Sequence, residues 1–218
     1  MPVMNSPQQN YNPQMQQRQQ TPMAHTDSTK DHFCDLLNQI IAYLDEGHVW
    51  HMNAGSTARL NGIRGWGQWH TAEAKCDAGK RLELTKLIGD IPSLRHVPAT
   101  NVQKITDAHT YAFPTINSPE DLKSALKAHH DTWIEREKRF CDIIKQAMKM
   151  AATFDGNLYS VLLCLQKEVE NEIFRVGIVA YNLWIAGYEG HHIIVVSKWL
   201  HEYFEKEYSE GPIDFNIG

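Results

Sequence analysis

No stretch of the sequence holds the ~18 consecutive apolar residues that a bilayer-spanning helix needs, so no membrane association is expected. The opening Met1-Pro2-Val3 runs into Gln, Asn and Pro without the apolar centre of a secretory signal. Basic residues are also scarce. Lys and Arg number 21 against 26 Asp and Glu, giving a formal net charge of −5 and a pI near 6.2. That balance removes the bulk electrostatic reason to expect nucleic acid. No Cys-x-x-Cys pair occurs: Cys34, Cys76, Cys141 and Cys164 are far apart, and each lies inside a helical pattern. They read as reduced thiols of a cytoplasmic protein. No apolar–polar alternation of β type is found either, which leaves an all-α chain.

What the sequence does have is helical periodicity, twelve histidines, and enough length (218 residues, 25.0 kDa) for one domain with tails. Residues 1–27 are Gln-rich and low in complexity, with no periodic apolar face, and are expected to be a disordered tail. A helical domain is expected over 28–208, followed by a short C-terminal tail over 209–218 that carries Ile213, Phe215 and Ile217.

Within that domain the first helix starts at Asp27 or Ser28, either of which can cap it, and runs to about Asn53. The segment NAGSTARLNG then reads as a turn-rich connection. A second helix covers Gly62 to Asp90. The next stretch, up to Asn117, is irregular, contains three prolines, and is far longer than an ordinary helix–helix connection. Such length suits a crossover that joins two parallel helices of a bundle. Ser118-Pro119-Glu120-Asp121 is a helix start, with a capping serine, proline at the first position and acids facing the positive end of the dipole. A short TFDGN turn separates this third helix from a fourth, Asn157 to Ala186. Gly187 and Gly190 interrupt the pattern before a shorter fifth helix, His191 to Glu207.

The second helix carries the most informative stripe. Trp66, Trp69, Glu73, Asp77, Lys80, Leu84 and Leu87 recur at intervals of three and four, with charge in the middle and apolar residues at both ends. An interior stripe charged at its centre is how a bundle builds a metal or cofactor site. A half-exposed helix gives the same pattern, with Asp77 pairing to Lys80 or Arg81 on the surface. Both readings stay open at this point, as they do for His129 in its apolar stripe and for Glu168 and Glu172 in the acid-rich KEVENE run.

Four long helices, short turns within each pair, a long crossover and a short fifth helix resemble the ferritin-like superfamily. Asn61-Gly62-Ile63-Arg64-Gly65-Trp66 is similar to the opening of the second helix in ferritins and bacterioferritins. Leu122-Lys123-Ser124-Ala125-Leu126-Lys127-Ala128-His129 is similar to the start of the third helix in bacterioferritins. The resemblance covers roughly residues 30–207. It implies a ferritin-like four-helix bundle, iron as the bound metal, storage of iron as the function, and a homo-oligomer such as a closed shell. It also implies a two-iron site of carboxylates with a Glu-x-x-His on the second helix, and here the sequence departs. The Glu position falls on Asp77 and the His position on Lys80, whose charge would repel a metal; the third-helix Glu position falls on His129. With Glu168 and Glu172 on the fourth helix, and Asp45 and His48 on the first, the implied metal set is Asp45, His48, Asp77, His129, Glu168 and Glu172. The expectation is an iron-binding protein with a weakened ferroxidase site. The competing expectation is a metal-free ferritin-like scaffold that acts as a structural or interaction protein, with its tails as contacts for a protein partner.

Overall fold

The structure is a computed structural model that describes residues 27–91, 94 and 116–209. The expected tails and most of the crossover lie outside the described residues. Five helices make up the fold: α1 (Asp27–Leu60), α2 (Arg64–Asp90), α3 (Pro119–Phe154), α4 (Gly156–Ile185) and α5 (Gly190–Ser209). No strand occurs among the described residues, and none of their helices is long and apolar enough to cross a membrane.

Three starts and stops follow from local chemistry. Ser118 accepts from the Asp121 N–H at 3.1 Å with Pro119 at the first position, as the sequence predicts. Asp155 closes α3 and caps α4 at once, its carboxylate accepting from the Leu158 N–H at 2.8 Å. The predicted TFDGN turn therefore shrinks to one residue. At the other pair, α1 continues to Leu60, where the sequence suggests a connection after Asn53. The reason is packing: Ala54, Gly55 and Ala58 are buried against α2, so these small residues form a close helix crossing and not a loop.

α1 packs on α2 and α3, α3 packs on α4, and α5 packs on the first half of α2. Each of the four long helices turns a four–three repeat inward. On α1 it is Phe33, Leu37, Ile40, Leu44, Gly47, His51, Ala54 and Ala58; on α4 it is Leu158, Leu162, Leu165, Val169, Glu172, Val176, Val179 and Leu183. This is the seam of a bundle whose helices pack at a shallow angle. The core falls into two clusters. One holds Phe33, Leu37, Leu84, Ile88, Ile144 and Leu162, from the start of α1, the ends of α2 and α3, and the start of α4. The other holds Trp66, Trp69, Leu126, Trp133, Val176 and Phe204, from the starts of α2 and α3, the end of α4, and α5. The helices α2 and α3 thus run parallel, so the segment between them joins opposite ends of the bundle, as a crossover must.

Trp66, Trp69 and Trp133 are each at most 1 % exposed. At ~200 Å² apiece and ~25 cal/mol per Å², each contributes about 5 kcal/mol of burial before ordering costs. The Trp cluster also holds α5, through Phe204 stacked on Trp69 with ring centroids 5.6 Å apart. Gly65 sets how closely α5 can approach: its N–H donates to Ser197 Oγ at 3.0 Å, and a Cβ there would overlap the Ser197 carbonyl. Between the two apolar clusters lies one polar layer, at the height of Gly47, His51, Glu73, Asp77, Glu137 and Glu172.

Candidate metal centre

The polar layer draws a ligand-type residue from each long helix. His51 of α1, Glu137 of α3 and Glu172 of α4 each offer one atom, and these atoms lie within 4.8 Å of one another. His51 Nε2 is 3.6 Å from Glu172 Oε1 and 3.9 Å from Asp77 Oδ2 of α2. Trp133 Nε1 donates to Glu172 Oε1 at 2.5 Å, which fixes that carboxylate's orientation. Asp77 lines a cleft and its side chain is 18 % exposed, yet Oδ2 is sealed and finds no hydrogen-bond partner among the described residues. Gly47 makes room for this arrangement, since a Cβ there would collide with Asp77 Oδ2 and Arg136 Nη2.

Two arginines reach the layer. Arg136 pairs through Nη1 with Glu137 and donates through Nη2 to the Tyr43 carbonyl at 2.8 Å; its guanidinium lies 4.9 Å from the Tyr43 ring centroid. Arg175 pairs with Glu73 at 3.1 Å, and Glu73 also accepts from Trp69 Nε1 at 2.8 Å. Asp77 and Glu172 are left with only the His51 ring within ion-pair distance among the described residues. Burial pushes the Asp77 carboxyl well above the usual range, with Glu137 and Glu73 adding to the effect and Arg136 opposing it. Burial likewise raises Glu172 well above its usual range, reinforced by Glu73, Glu137 and Asp77. For Arg136, burial is outweighed by Glu137, Asp77 and Glu172, which hold the guanidinium above its ordinary value. Burial thus disfavours the charged forms of these carboxyls, and a further cation in the layer would offset that cost.

Behind His51 the imidazoles continue. His51 Nδ1 shares a hydrogen with His70 Nδ1 at 2.9 Å, and His70 Nε2 shares one with His129 Nε2 at 2.8 Å. Trp50 stacks on His129 with an interplanar angle of 9°, and His70 lies on Trp133 at 4.4 Å between centroids. All three rings are at most 1 % exposed. Burial, together with the neighbouring Arg136 and imidazole charges, holds His51 well below its usual value, so this ring is neutral with a lone pair to offer. His70 and His129 are lowered in the same direction, again by burial first and by adjacent histidines second. A neighbouring ring, His130, accepts from Trp66 Nε1 at 3.0 Å, and burial lowers its pKa to about 4.

A cleft of about 260 Å³ between α2 and α4 leads to this layer, with Asp77, Glu172, Cys76 and Asn171 among its lining residues. Lys80 pairs with Glu168 across it. Of the residues the sequence suggested, Asp77 and Glu172 therefore meet at the polar layer, and His129 stands two rings behind it. The structure places Glu168 on the cleft in its pair with Lys80. Asp45 is paired with Arg81 at 3.2 Å, and His48 Nδ1 is bonded to the Ala74 carbonyl at 2.9 Å; neither is brought to the layer. His51, Glu137, His70 and Arg136 are not among the residues that the sequence suggested. The signal for the first three was the four–three seam, in which they occupy positions otherwise held by core side chains.

Two antiparallel helix pairs joined by a crossover, with a polar layer at mid-height, define a ferritin-like four-helix bundle. The structure is similar to an open-pore ferritin from the hyperthermophilic archaeon Archaeoglobus fulgidus, at 15 % identity and a TM-score of 0.62 over 78 % of this chain and 95 % of that one. It is similar to an engineered closed form of the same ferritin, at 16 % identity and a TM-score of 0.61 over 78 % and 95 % of the two chains. An iron-soaked variant of PmFTN matches at 14 % identity and a TM-score of 0.58 over 77 % and 97 %. At such identities the likeness is one of fold. No protein-family model matches the sequence, and no curated protein does.

Proposed function

We propose that this chain is an iron-binding protein that holds a single divalent cation between His51, Asp77, Glu137 and Glu172. The observation that carries the reading is the pair of carboxyls, Asp77 with its Oδ2 sealed and Glu172 buried, with no Lys or Arg within ion-pair distance among the described residues while His51 aims a neutral nitrogen at both. One imidazole and three carboxylates form a mixed nitrogen–oxygen set suited to Fe²⁺, and to Mn²⁺ or Zn²⁺ in competition. Charge sets the number of ions. Glu73, Asp77, Glu137 and Glu172 bring four negative charges and Arg136 and Arg175 two positive ones, so one divalent ion balances the layer and two would overcharge it. His51 would hold the ion through Nε2, Trp133 keeps Glu172 turned toward it, and Arg136 restrains Glu137. A lone Fe²⁺ can give up only one electron at a time, so oxidation by oxygen is expected to be slow. Such a site would correspond to the weakened ferroxidase site expected from the sequence, and iron storage would rest on assembly of many copies.

The Arg136–Glu137 pair supports the second reading, a metal-free scaffold, because it already neutralises one ligand from within. Anaerobic Fe²⁺ titration of the full chain, followed calorimetrically and by metal analysis after desalting, separates the two. One equivalent bound by the wild type, and lost in the Asp77→Asn, Glu172→Gln double variant, supports the iron reading. No binding by the wild type overturns it and leaves the scaffold.

A further inference from the structure

The groove between α2 and α4 is filled over one half of its length and open over the other. α5 fills the first half: Trp66 and Trp69 of α2, Val176 and Val179 of α4, and Leu200 and Phe204 of α5 belong to one cluster. The open half is the cleft of about 260 Å³, to which Phe140, Leu165 and Val169 give apolar lining and Cys76, Lys80 and Asn171 polar lining. α5 runs in the same direction as α2, since Ser197 meets Gly65 and Phe204, further on, meets Trp69. It continues to Ser209, five residues past Phe204, which is about 7 Å at ~1.5 Å per residue. Over that rise α2 passes from Trp69 to Glu73, which already lines the cleft. The end of α5 is thereby aimed along the groove toward its open half.

We propose that the segment that follows, residues 210–218, seats its apolar side chains in the α2–α4 cleft of its own chain and so covers the approach to Asp77 and Glu172. That segment lies outside the described residues, and its sequence fits the place. Gly211 and Pro212 are residue types that end a helix. Ile213, Phe215 and Ile217 then occupy every second position, so an extended chain turns all three to one side and Asp214 and Asn216 to the other. The Gln-rich residues 1–26 offer no such row. Length suffices: the cleft runs from Arg175 to Leu165 on α4, about 15 Å, and nine extended residues reach up to ~30 Å. Size selects an occupant in this form, because the cleft admits single side chains and not a helix ~10 Å across. Linked directly to α5, the segment meets the cleft at an effective concentration on the order of 1 mM, so an intrinsic affinity of only about 0.1 mM keeps it seated about nine-tenths of the time. Seating needs no cation, so it stands apart from the proposed metal.

Cys76 supplies a native probe, because its thiol lies in the cleft, while Cys164 on the outer side of α4 is exposed and serves as the control. The full chain is used after chelator treatment, so that the outcome does not depend on metal binding. Alkylation by iodoacetamide is followed at each cysteine by mass spectrometry of the digest. The Ile213→Asp, Phe215→Asp double variant is expected to lose the cover, and Cys76 to react about tenfold faster than in the wild type, with the Cys164 rate unchanged. Equal rates at Cys76 overturn the proposal. In a second variant, Phe215→Cys, mild oxidation is expected to join the introduced thiol to Cys76 within one chain. A bridge to the exposed Cys164 in place of Cys76 overturns the proposal, because a segment that does not seat reacts with the more accessible thiol. A bridge to Cys76 between two chains, seen as a dimer on a denaturing unreduced gel, overturns it in favour of a neighbouring copy's segment.

Discussion

His130 lets the buried state of the histidines be read as a free energy. It is fully buried, and Trp66 donates to its Nε2, so its own proton sits on Nδ1. Protonating the ring means losing the Trp66 bond and placing a charge in the Trp cluster. Burial accordingly lowers the pKa to about 4, against ~6.5 for the ring in an unfolded chain. The sign follows from linkage. A folded pKa below the unfolded one gives a contribution that is complete above pH ~6.5 and is lost as pH falls toward 4, because the unfolded chain takes up the proton first. The difference of about 2.5 units corresponds to roughly 3 kcal/mol in full, of which about 2 kcal/mol has gone by pH 5. His130→Gln keeps an acceptor for the Trp66 N–H and removes the titration. In urea unfolding of chelator-treated protein at pH 7.5 the variant should be the less stable by 1–2 kcal/mol, from imperfect packing. On going to pH 5 the gap should close by about 2 kcal/mol. Parallel stability curves across that range, with a gap constant to within ~0.5 kcal/mol, would refute the reasoning, since every other titrating group is common to both proteins.

Three other perturbations address the site and the fold. For Asp77 the sign is opposite. Its raised pKa means that stability present below pH ~4 is lost as pH rises through the folded value, so Asp77→Asn should stabilise the metal-free protein at pH 7–8 by on the order of 1 kcal/mol and bring no gain at pH 4, as measured by thermal melts. His70→Leu removes the partner of His51 Nδ1 without touching a ligand, and should weaken metal binding about 10–100-fold by calorimetry while leaving the stoichiometry at one. Unchanged affinity would show that His70 does not orient the ring. Gly65→Ala forces a methyl into the Ser197 backbone and should cost about 2–3 kcal/mol, with faster amide exchange in α5 than in α3 or α4. Uniform exchange would argue against that close contact.

The helices were legible because each keeps strict periodicity and α3 begins at a residue with an unambiguous capping role, Ser118. The end of α1 was not legible, because Ala54, Gly55 and Ala58 look alike whether they form a turn or a tight crossing; only the presence of α2 decides. At the site, Asp77 and Glu172 could be found because they interrupt apolar stripes. Glu137 interrupts one just as plainly, between Trp133 and Phe140, but lies next to Arg136 in a run of charge that reads as a solvated surface. On α1, His48 and His51 are three residues apart and both fit a helical face. Only the four–three seam, which passes through Gly47 and His51, separates the ring that turns inward from the one that reaches the Ala74 carbonyl.

The imidazole chain has a consequence for where hydrogens can be. Three neutral rings carry three N–H protons, and the two nitrogen–nitrogen contacts hold one each, because two facing lone pairs or two facing N–H groups would repel. Only two orderings satisfy that rule. In one, each ring donates toward the carboxylates and His51 presents an N–H on Nε2. In the other, each ring donates away from them and His51 presents a lone pair. A cation on His51 accepts only the second. With that position filled, the N–H of His129, two rings back, can therefore sit only on Nδ1.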